Sequence, residues 1–267
     1  MFLLNCANFY TENFYYNIIF SYFCGVMMTK TDAIVLNSTK YGDSQLIVDM
    51  FTEQHGRVSF ICHLPKTGRA KVKKNLFQPM TLLALTFDYR PNRQLQHIRD
   101  MQLSYHYVSV PFDAYKLAIT LFLSEFLVFS LRDEQQNVPL YHYVAMSMKW
   151  LDECKQGFSN FHLVFMMRLS RFVGFYPNLE HYEEGALFDL RNSCFCMSAP
   201  LHQDFLQPLE ASKISLLMRM NYETMHLFRM SHHERNRCLE IILSYYRLHV
   251  PNFKELKSLD VVKELFV

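Results

Sequence analysis

The chain has 267 residues, of which 50% are hydrophobic and 19% charged, with a net charge of +2; this excludes a disordered or fibrous chain and leaves room for one large domain or two small ones. Seven glycines, with neither GxGxxG nor GxxxxGK[ST] present, exclude the common glycine-rich nucleotide cradles. The cysteines Cys6, Cys24, Cys62, Cys154, Cys194, Cys196 and Cys238 are odd in number and scattered, which reads as reduced thiols of a cytoplasmic protein rather than a disulfide framework.

Residues 1–27 contain no Lys or Arg, so the positive head of a signal peptide is missing. The uncharged stretch 13–28 is interrupted by Asn17, Ser21 and Gly25 and is short for a membrane span. A strand pattern starts directly after Met27-Met28. The expectation is that translation begins at Met28 and that residues 1–27 are a non-native or disordered extension; a membrane-surface or partner-binding helix is the alternative.

Residues 31–38 (TDAIVLNS), 45–52 (QLIVDMFT) and 57–64 (RVSFICHL) are rich in Val, Ile, Phe and Thr. They are separated by Tyr41-Gly42-Asp43-Ser44 and Gln54-His55-Gly56, the spacing of a strand meander. MTLLALTFDY (80–89) and RQLQHIRDMQL (93–103) follow, divided by Arg90-Pro91-Asn92. Five strands in so short a stretch predict a five-stranded OB-type barrel over 28–108, with an SH3-like barrel left open. From Pro111 the apolar period becomes helical. Helices are predicted over 113–134, 138–154, 160–174 and 208–228, with Gly174 and Pro177 ending the third. Ser231 and Glu234 form a capping box for a last long helix stopped by Pro251. The fold class is therefore α+β, a barrel followed by an α-helical domain over 109–267, with the boundary near 104–112.

Charge is unevenly placed. From Arg57 to Arg99 there are nine cations and one carboxylate, Asp88, a local net of +8, so the remainder carries −6. Lys66, Arg69, Lys71, Lys73 and Lys74 fall within nine residues. A row of cations beside a small barrel is suited to tracking phosphates, since each neutralised phosphate releases condensed counterions. Arg57, Arg90 and Arg93 are second-rank contacts. Tyr41, Phe60, Phe77 and Tyr89 are aromatics near enough in sequence to stack bases, although Phe60 and Phe77 fit a core equally well. A solvated loop between strands is the competing reading of the same cationic run.

No HExxH, GxSxG or paired-carboxylate motif occurs. His232 and His233 are adjacent, not at the i, i+4 spacing of a helical metal pair. His97, His106, His142 and His162 are isolated. Cys194 and Cys196, with His181 and His202 nearby in sequence, are weak metal candidates, because the one-residue spacer is not a zinc-knuckle spacing. No enzyme activity and no cofactor are expected, zinc included.

Several stretches, in order, resemble the RecO family: Thr31-Asp32-Ala33-Ile34-Val35-Leu36, Lys40-Tyr41-Gly42-Asp43-Ser44, Phe51-Thr52-Glu53-Gln54-His55-Gly56-Arg57, the basic run and Leu76-Phe77-Gln78-Pro79. Arg219-Met220-Asn221-Tyr222, Tyr245-Tyr246-Arg247-Leu248-His249 and Leu256-Lys257-Ser258-Leu259 are similar to its closing helices in Bacteroidetes-type sequences. The resemblance runs from Met28 to the end. It implies an OB-fold and a helical domain, binding of single- and double-stranded DNA, and strand annealing without catalysis. It also implies loading of a recombinase onto DNA coated with single-stranded DNA-binding protein. The implied partners are RecR, in some lineages RecF, and the acidic, hydrophobic-ended tail of the coating protein, which would need an apolar pocket rimmed by a cation such as Arg168, Arg171 or Arg219. A cytoplasmic, nucleoid-associated location follows, with no membrane partner. Many members carry a four-cysteine zinc finger; here only Cys194 and Cys196 remain, so ordinary packing around Tyr182, Leu187, Phe188 and Leu190 is expected instead. The alternative function is a protein-interaction scaffold whose basic barrel docks an acidic protein rather than DNA.

Overall fold

The computed structural model describes residues 27–63, 74–132, 135–180 and 182–266. The chain divides into two compact units, one ending at Tyr105 and the other beginning at His106.

The first unit is a sheet of six strands: β1 (Met27–Tyr41), β2 (Gln45–Thr52), β3 (Gly56–His63), β4 (Leu82–Tyr89), β5 (Leu95–Gln96) and β6 (Ile98–Leu103). Their lateral order is β5-β3-β2-β1-β4-β6. β5 and β6 occupy opposite edges, yet only His97 separates them in sequence. One short stretch of chain therefore joins both edges, and the sheet curls on itself as an OB-like half-barrel. Alternation along β2 and β3 turns Leu46, Val48, Met50, Val58, Phe60 and Cys62 into the core, where Leu85 and Phe87 of β4 meet them. Burial of each large side chain contributes about 1.5–3 kcal/mol.

β1 has 15 residues because it serves two partners. Met27–Ile34 pair with β4, and Ala33–Tyr41 pair with β2. An irregularity between Val35 and Asn37 supplies the bend. Gly42, at φ 64°, makes the tight β1–β2 turn, a conformation that costs a side-chain-bearing residue more.

The single strand predicted over 93–103 is two strands, so the sheet has six strands rather than five. Closure is the reason: the run must leave β3 and reach β4. Buried Gln96 holds the crossover. Its side chain accepts from Arg90 N at 3.0 Å and donates to the carbonyls of Arg90 and Arg93 at 2.9 and 2.7 Å.

The second unit holds α1 (Ala114–Ser130), α2 (Val138–Glu153), α3 (Phe161–Phe172), a small sheet of β7 (Leu187–Asp189), β8 (Cys194–Cys196) and β9 (Phe205–Leu206), then α4 (Pro208–Arg219), α5 (His232–His249) and α6 (Leu259–Lys263). Asp113 caps α1 by accepting from Tyr115 N and Lys116 N, and Asn137 caps α2. The Ser231–Glu234 capping box starts α5. α3 is buried almost all round, from Phe161 to Met167, which makes it the centre of the unit. Glu125, the exception in apolar α1, accepts from Lys257 N, Ser258 N and Ser258 Oγ, and so ties α1 to the start of α6.

The helix expected over 208–228 ends at Arg219, and a 3₁₀ turn follows at Met225–Leu227. Asn221 breaks it: its Oδ1 accepts from Thr224 N at 2.7 Å and from Thr224 Oγ1 at 2.8 Å, a side-chain turn that competes with helical bonding.

Buried charges complete the unit. Asp152, 4% exposed, accepts from the backbone N–H of Val108, Ser109 and Val110 at 2.7–3.1 Å. Lys116, 3% exposed, donates to Ser109 Oγ and to the carbonyls of Asp152 and Cys154. The opening loop of the unit is thus pinned to the end of α2.

Candidate nucleic-acid interface

The register of the sheet puts Tyr41, Gln45 and His63 opposite one another across β1, β2 and β3. Directly opposite residues share a face, so these side chains form one outer rung at the end of the sheet. Tyr41 is 55% exposed, and Gln45 Nε2 donates to His63 Nδ1 at 3.3 Å. From His63 the chain passes straight into the cationic stretch. Its Lys66, Arg69, Lys71 and Lys73 lie outside the described residues. Lys74 is described and exposed, and Phe77, 1% exposed, returns the chain to the barrel core.

The remaining candidates scatter. Arg57 is held by Asp49 at 3.2 Å and is only 17% exposed; Ser59 Oγ bonds the other Asp49 oxygen at 2.5 Å. Arg99 pairs with Asp88 at 2.7 Å. Arg90, half-buried, and Arg93, exposed, belong to the turn after Tyr89. Tyr89 pairs with Met27, the first residue of β1, whereas Tyr41 is its last. This turn and the Tyr41 rung therefore sit at opposite ends of the longest strand. Phe60 and Phe77 are core residues. Tyr89 stacks on His55 with ring centroids 4.1 Å apart. Tyr41 is the sequence-named aromatic that stands most open to solvent.

In the second unit a pocket of about 290 Å³ opens between α4 and the start of α5. Leu216, Phe228 and Met230 line it with Lys213, Arg229, Ser212 and the carboxylate of Glu234. The sequence reading missed this pairing, because its two cations belong to separate elements and neither local pattern signals the other. Of the residues proposed from sequence, Arg171 and Arg219 are exposed, and Arg168 donates to Met220 O at 3.4 Å. None of the three lines this pocket.

The family models described as Recombination protein O N terminal and Recombination protein O C terminal match residues 27–107 and 111–260. The chain is 53% identical over 240 residues to the DNA repair protein RecO of Phocaeicola vulgatus, covering 90% of this chain and 100% of that protein. It is 52% identical over 241 residues to the same protein of Bacteroides fragilis, with the same two coverages. This chain belongs to the RecO family. At 32% identity over 248 residues, the RecO of Porphyromonas gingivalis still aligns with 90% of the chain and 100% of its own length. RecO proteins act in DNA repair and recombination, and that role extends to this member.

Where the resemblance implies a zinc finger for many RecO members, this chain has the β7–β8–β9 sheet. Phe188 is its core, edge-on to Phe195 at 4.9 Å and to Tyr245 at 6.2 Å. Of the residues expected to pack there, Phe188 and Leu190 are buried, Leu187 is half-buried, and Tyr182 lies exposed against Phe195. Asp189 is the polar anchor: it accepts from Arg191 N and Asn192 N at 2.8 and 3.0 Å, from Asn192 Nδ2 at 2.8 Å, and meets His202 Nε2 at 3.4 Å. Burial, then the nearby Asp189, pushes the Cys194 and Cys196 thiols up. Among the described residues no group of three His, Cys, Asp or Glu side chains is placed to hold a metal; His181 lies outside them. Among the described residues no helix is long and apolar enough to cross a membrane.

Proposed function

We propose that this chain is a recombination mediator without catalytic turnover. It binds single- and double-stranded DNA, anneals complementary strands and helps load a recombinase onto DNA coated with single-stranded DNA-binding protein, at the nucleoid in the cytoplasm. The observation that carries the reading is a cationic stretch that follows in sequence from His63, a residue in one rung with exposed Tyr41, in a chain of the RecO family. Lys66, Arg69, Lys71, Lys73 and Lys74 hold phosphates, and Tyr41 offers a face to a base. Arg57 contributes little, since leaving Asp49 would cost it a bonded partner. Annealing then needs only that the repulsion between two backbones be screened while base edges stay free. The acidic tail of the coating protein docks its hydrophobic end on Leu216, Phe228 and Met230, with Lys213 and Arg229 at the rim. RecR, and RecF where it is present, complete the assembly.

The test is fluorescence anisotropy with a labelled single strand across a salt series. Neutralising about five phosphates gives a slope of log affinity against log salt near −3.5, so affinity falls roughly a hundredfold between about 50 and 200 mM salt. A strand-annealing assay under the same conditions should show acceleration over protein-free DNA. Binding that ignores salt, or acidic protein bound in preference to DNA, would favour the scaffold reading.

A further inference from the structure

Between the 3₁₀ turn Met225–Leu227 and the start of α5 the backbone is irregular. This loop supplies Phe228, Arg229 and Met230, one wall of the pocket of about 290 Å³; Lys213 and Leu216 of α4 supply the facing wall. An irregular loop has no ladder of its own, so its carbonyls need donors from elsewhere. Two buried side chains provide them. Asn160, 2% exposed, donates through Nδ2 to Met225 O at 3.2 Å and to Phe228 O at 2.9 Å. Arg235, 7% exposed, donates through Nη2 to Met230 O at 3.0 Å. The two are joined, since Arg235 Nε donates to Asn160 Oδ1 at 3.2 Å. The carbonyls on both sides of Arg229 are therefore clamped from inside, while Arg229 itself stands exposed. An asparagine before a helix ordinarily caps it. Asn160 precedes α3 and makes no cap bond with its side chain; both ends of its amide are spent on the loop and on Arg235.

The network reaches the end of the chain. Arg235 Nη1 donates to Phe266 O at 3.4 Å, and the guanidinium lies 5.4 Å from the centre of the Phe266 ring. That ring stacks on Tyr115 of α1 with centroids 5.0 Å apart and stands edge-on to Phe158 at 5.9 Å. Phe266 thus covers the guanidinium, whose bonds to Met230 and Asn160 strengthen as water is excluded.

We infer that Asn160 and Arg235 are positioning residues for the docking of an acidic, hydrophobic-ended tail, and that Phe266 holds Arg235 in place for it. The inference rests on the tail-docking reading of this pocket. A loop already fixed in its docking shape does not have to be ordered when the tail arrives. Ordering the side chains of Phe228, Arg229 and Met230 at that moment would cost about tenfold to a thousandfold in affinity. Glu234 also lines the pocket, but Ser231 N and Oγ donate to its carboxylate at 2.9 and 2.8 Å and keep that charge on the helix it caps.

The test is fluorescence anisotropy of the full chain with a labelled synthetic peptide that carries an acidic run and a C-terminal phenylalanine. Wild type is compared with Lys213→Glu, Asn160→Asp, Arg235→Lys, Phe266→Ala and Phe266→Tyr, and Trp150 fluorescence in urea follows the fold of each. Asn160→Asp keeps the shape and loses the donor; Arg235→Lys keeps the charge and loses the fork. Each of these two should lose at least about tenfold in peptide affinity. Phe266→Ala should lose about twofold to thirtyfold, and Phe266→Tyr, which keeps the ring, should bind as wild type does. In a Phe228→Ala background Asn160→Asp should cost much less than it does alone, because the wall it positions is already gone. Wild-type binding that Lys213→Glu weakens, with the Asn160 and Arg235 variants at wild-type affinity, overturns the positioning and leaves the pocket standing. A loss that is unchanged in the Phe228→Ala background, or that only follows a lowered unfolding midpoint, makes the pair structural and overturns it too. If Asn160→Asp and Arg235→Lys fail to fold, the two Phe266 variants decide, and equal affinities for them overturn the inference. No binding by wild type, or binding indifferent to Lys213→Glu, removes the tail-docking reading and this inference with it.

Discussion

Replacing Asp152 with Ala should unhinge the start of the helical unit. The Asp152 carboxylate, 4% exposed, accepts from Ser109 N at 2.7 Å and Val110 N at 2.9 Å, and from Val108 N at 2.9 and 3.1 Å. Val108 is 77% exposed, so water can take over its N–H. Ser109 and Val110 are less accessible, and each donor left without an acceptor costs about 1–3 kcal/mol. Lys116, buried alongside, would also lose a nearby negative charge. Together these put the loss at about 3–5 kcal/mol, the range for breaking a buried charged cluster by removing one member. For a unit of this size that is a Tm drop of roughly 6–20 °C. Trp150 is the single tryptophan of the chain and stacks on Phe161 and Tyr222. Its fluorescence during urea unfolding therefore reports on the helical unit. Asp152→Asn, which keeps one acceptor oxygen, should fall between the two. Hydrogen exchange should speed up first at the amides of 108–110. A loss below about 1 kcal/mol for Asp152→Ala would refute the claim that this carboxylate pins the loop, because ordinary surface substitutions already span about 0.5 kcal/mol.

Lys71→Glu with Lys73→Glu should weaken single-strand binding and flatten the salt slope by about 1.4 for two lost phosphate contacts, with no change in melting temperature; a matching loss of stability would make the segment structural. Tyr41→Ala, at an exposed strand end, should lower single-strand affinity by about 1–3 kcal/mol and leave urea unfolding unaltered. His162 is buried in α3, and burial, then the nearby Arg235, lowers its pKa from 6.5 to about 3. The unfolded chain therefore takes up a proton below pH 6.5 that the folded protein refuses until about pH 3. Stability falls with falling pH across that window, by up to about 1.4 kcal/mol per pH unit from this group. His162→Gln should remove that part of the slope in acid titrations followed by Trp150 fluorescence, and an unchanged slope would count against the burial account.

The helical signals in the sequence were mostly legible because they are local. The Ser231–Glu234 box, read from the sequence, starts the helix it precedes, since a cap needs only the next three residues; the caps at Asp113 and Asn137 are as local, and the structure supplied them. The helix expected through 228 failed where Asn221 formed its own turn with Thr224, a competition that propensity alone does not decide. The three-stranded sheet at 187–206 was not read at all, because strands of two or three residues are too short to show a period.

By itself the sequence determined the alternation that makes strands of 45–52 and 56–63, the switch to helical period after Pro111, and the clustering of positive charge after His63. These are properties of neighbouring residues, and each is fixed by sterics, burial period and charge over a few positions. Tertiary structure alone decided that Arg57 belongs to Asp49, that Arg90 and Arg93 stand at the far end of β1 from Tyr41, and that the run after Arg93 splits at His97 to close the barrel. Which cation meets a carboxylate, and which strand edge takes a given segment, depends on pairings between residues distant in the chain. A hydrophobic period carries no information about them.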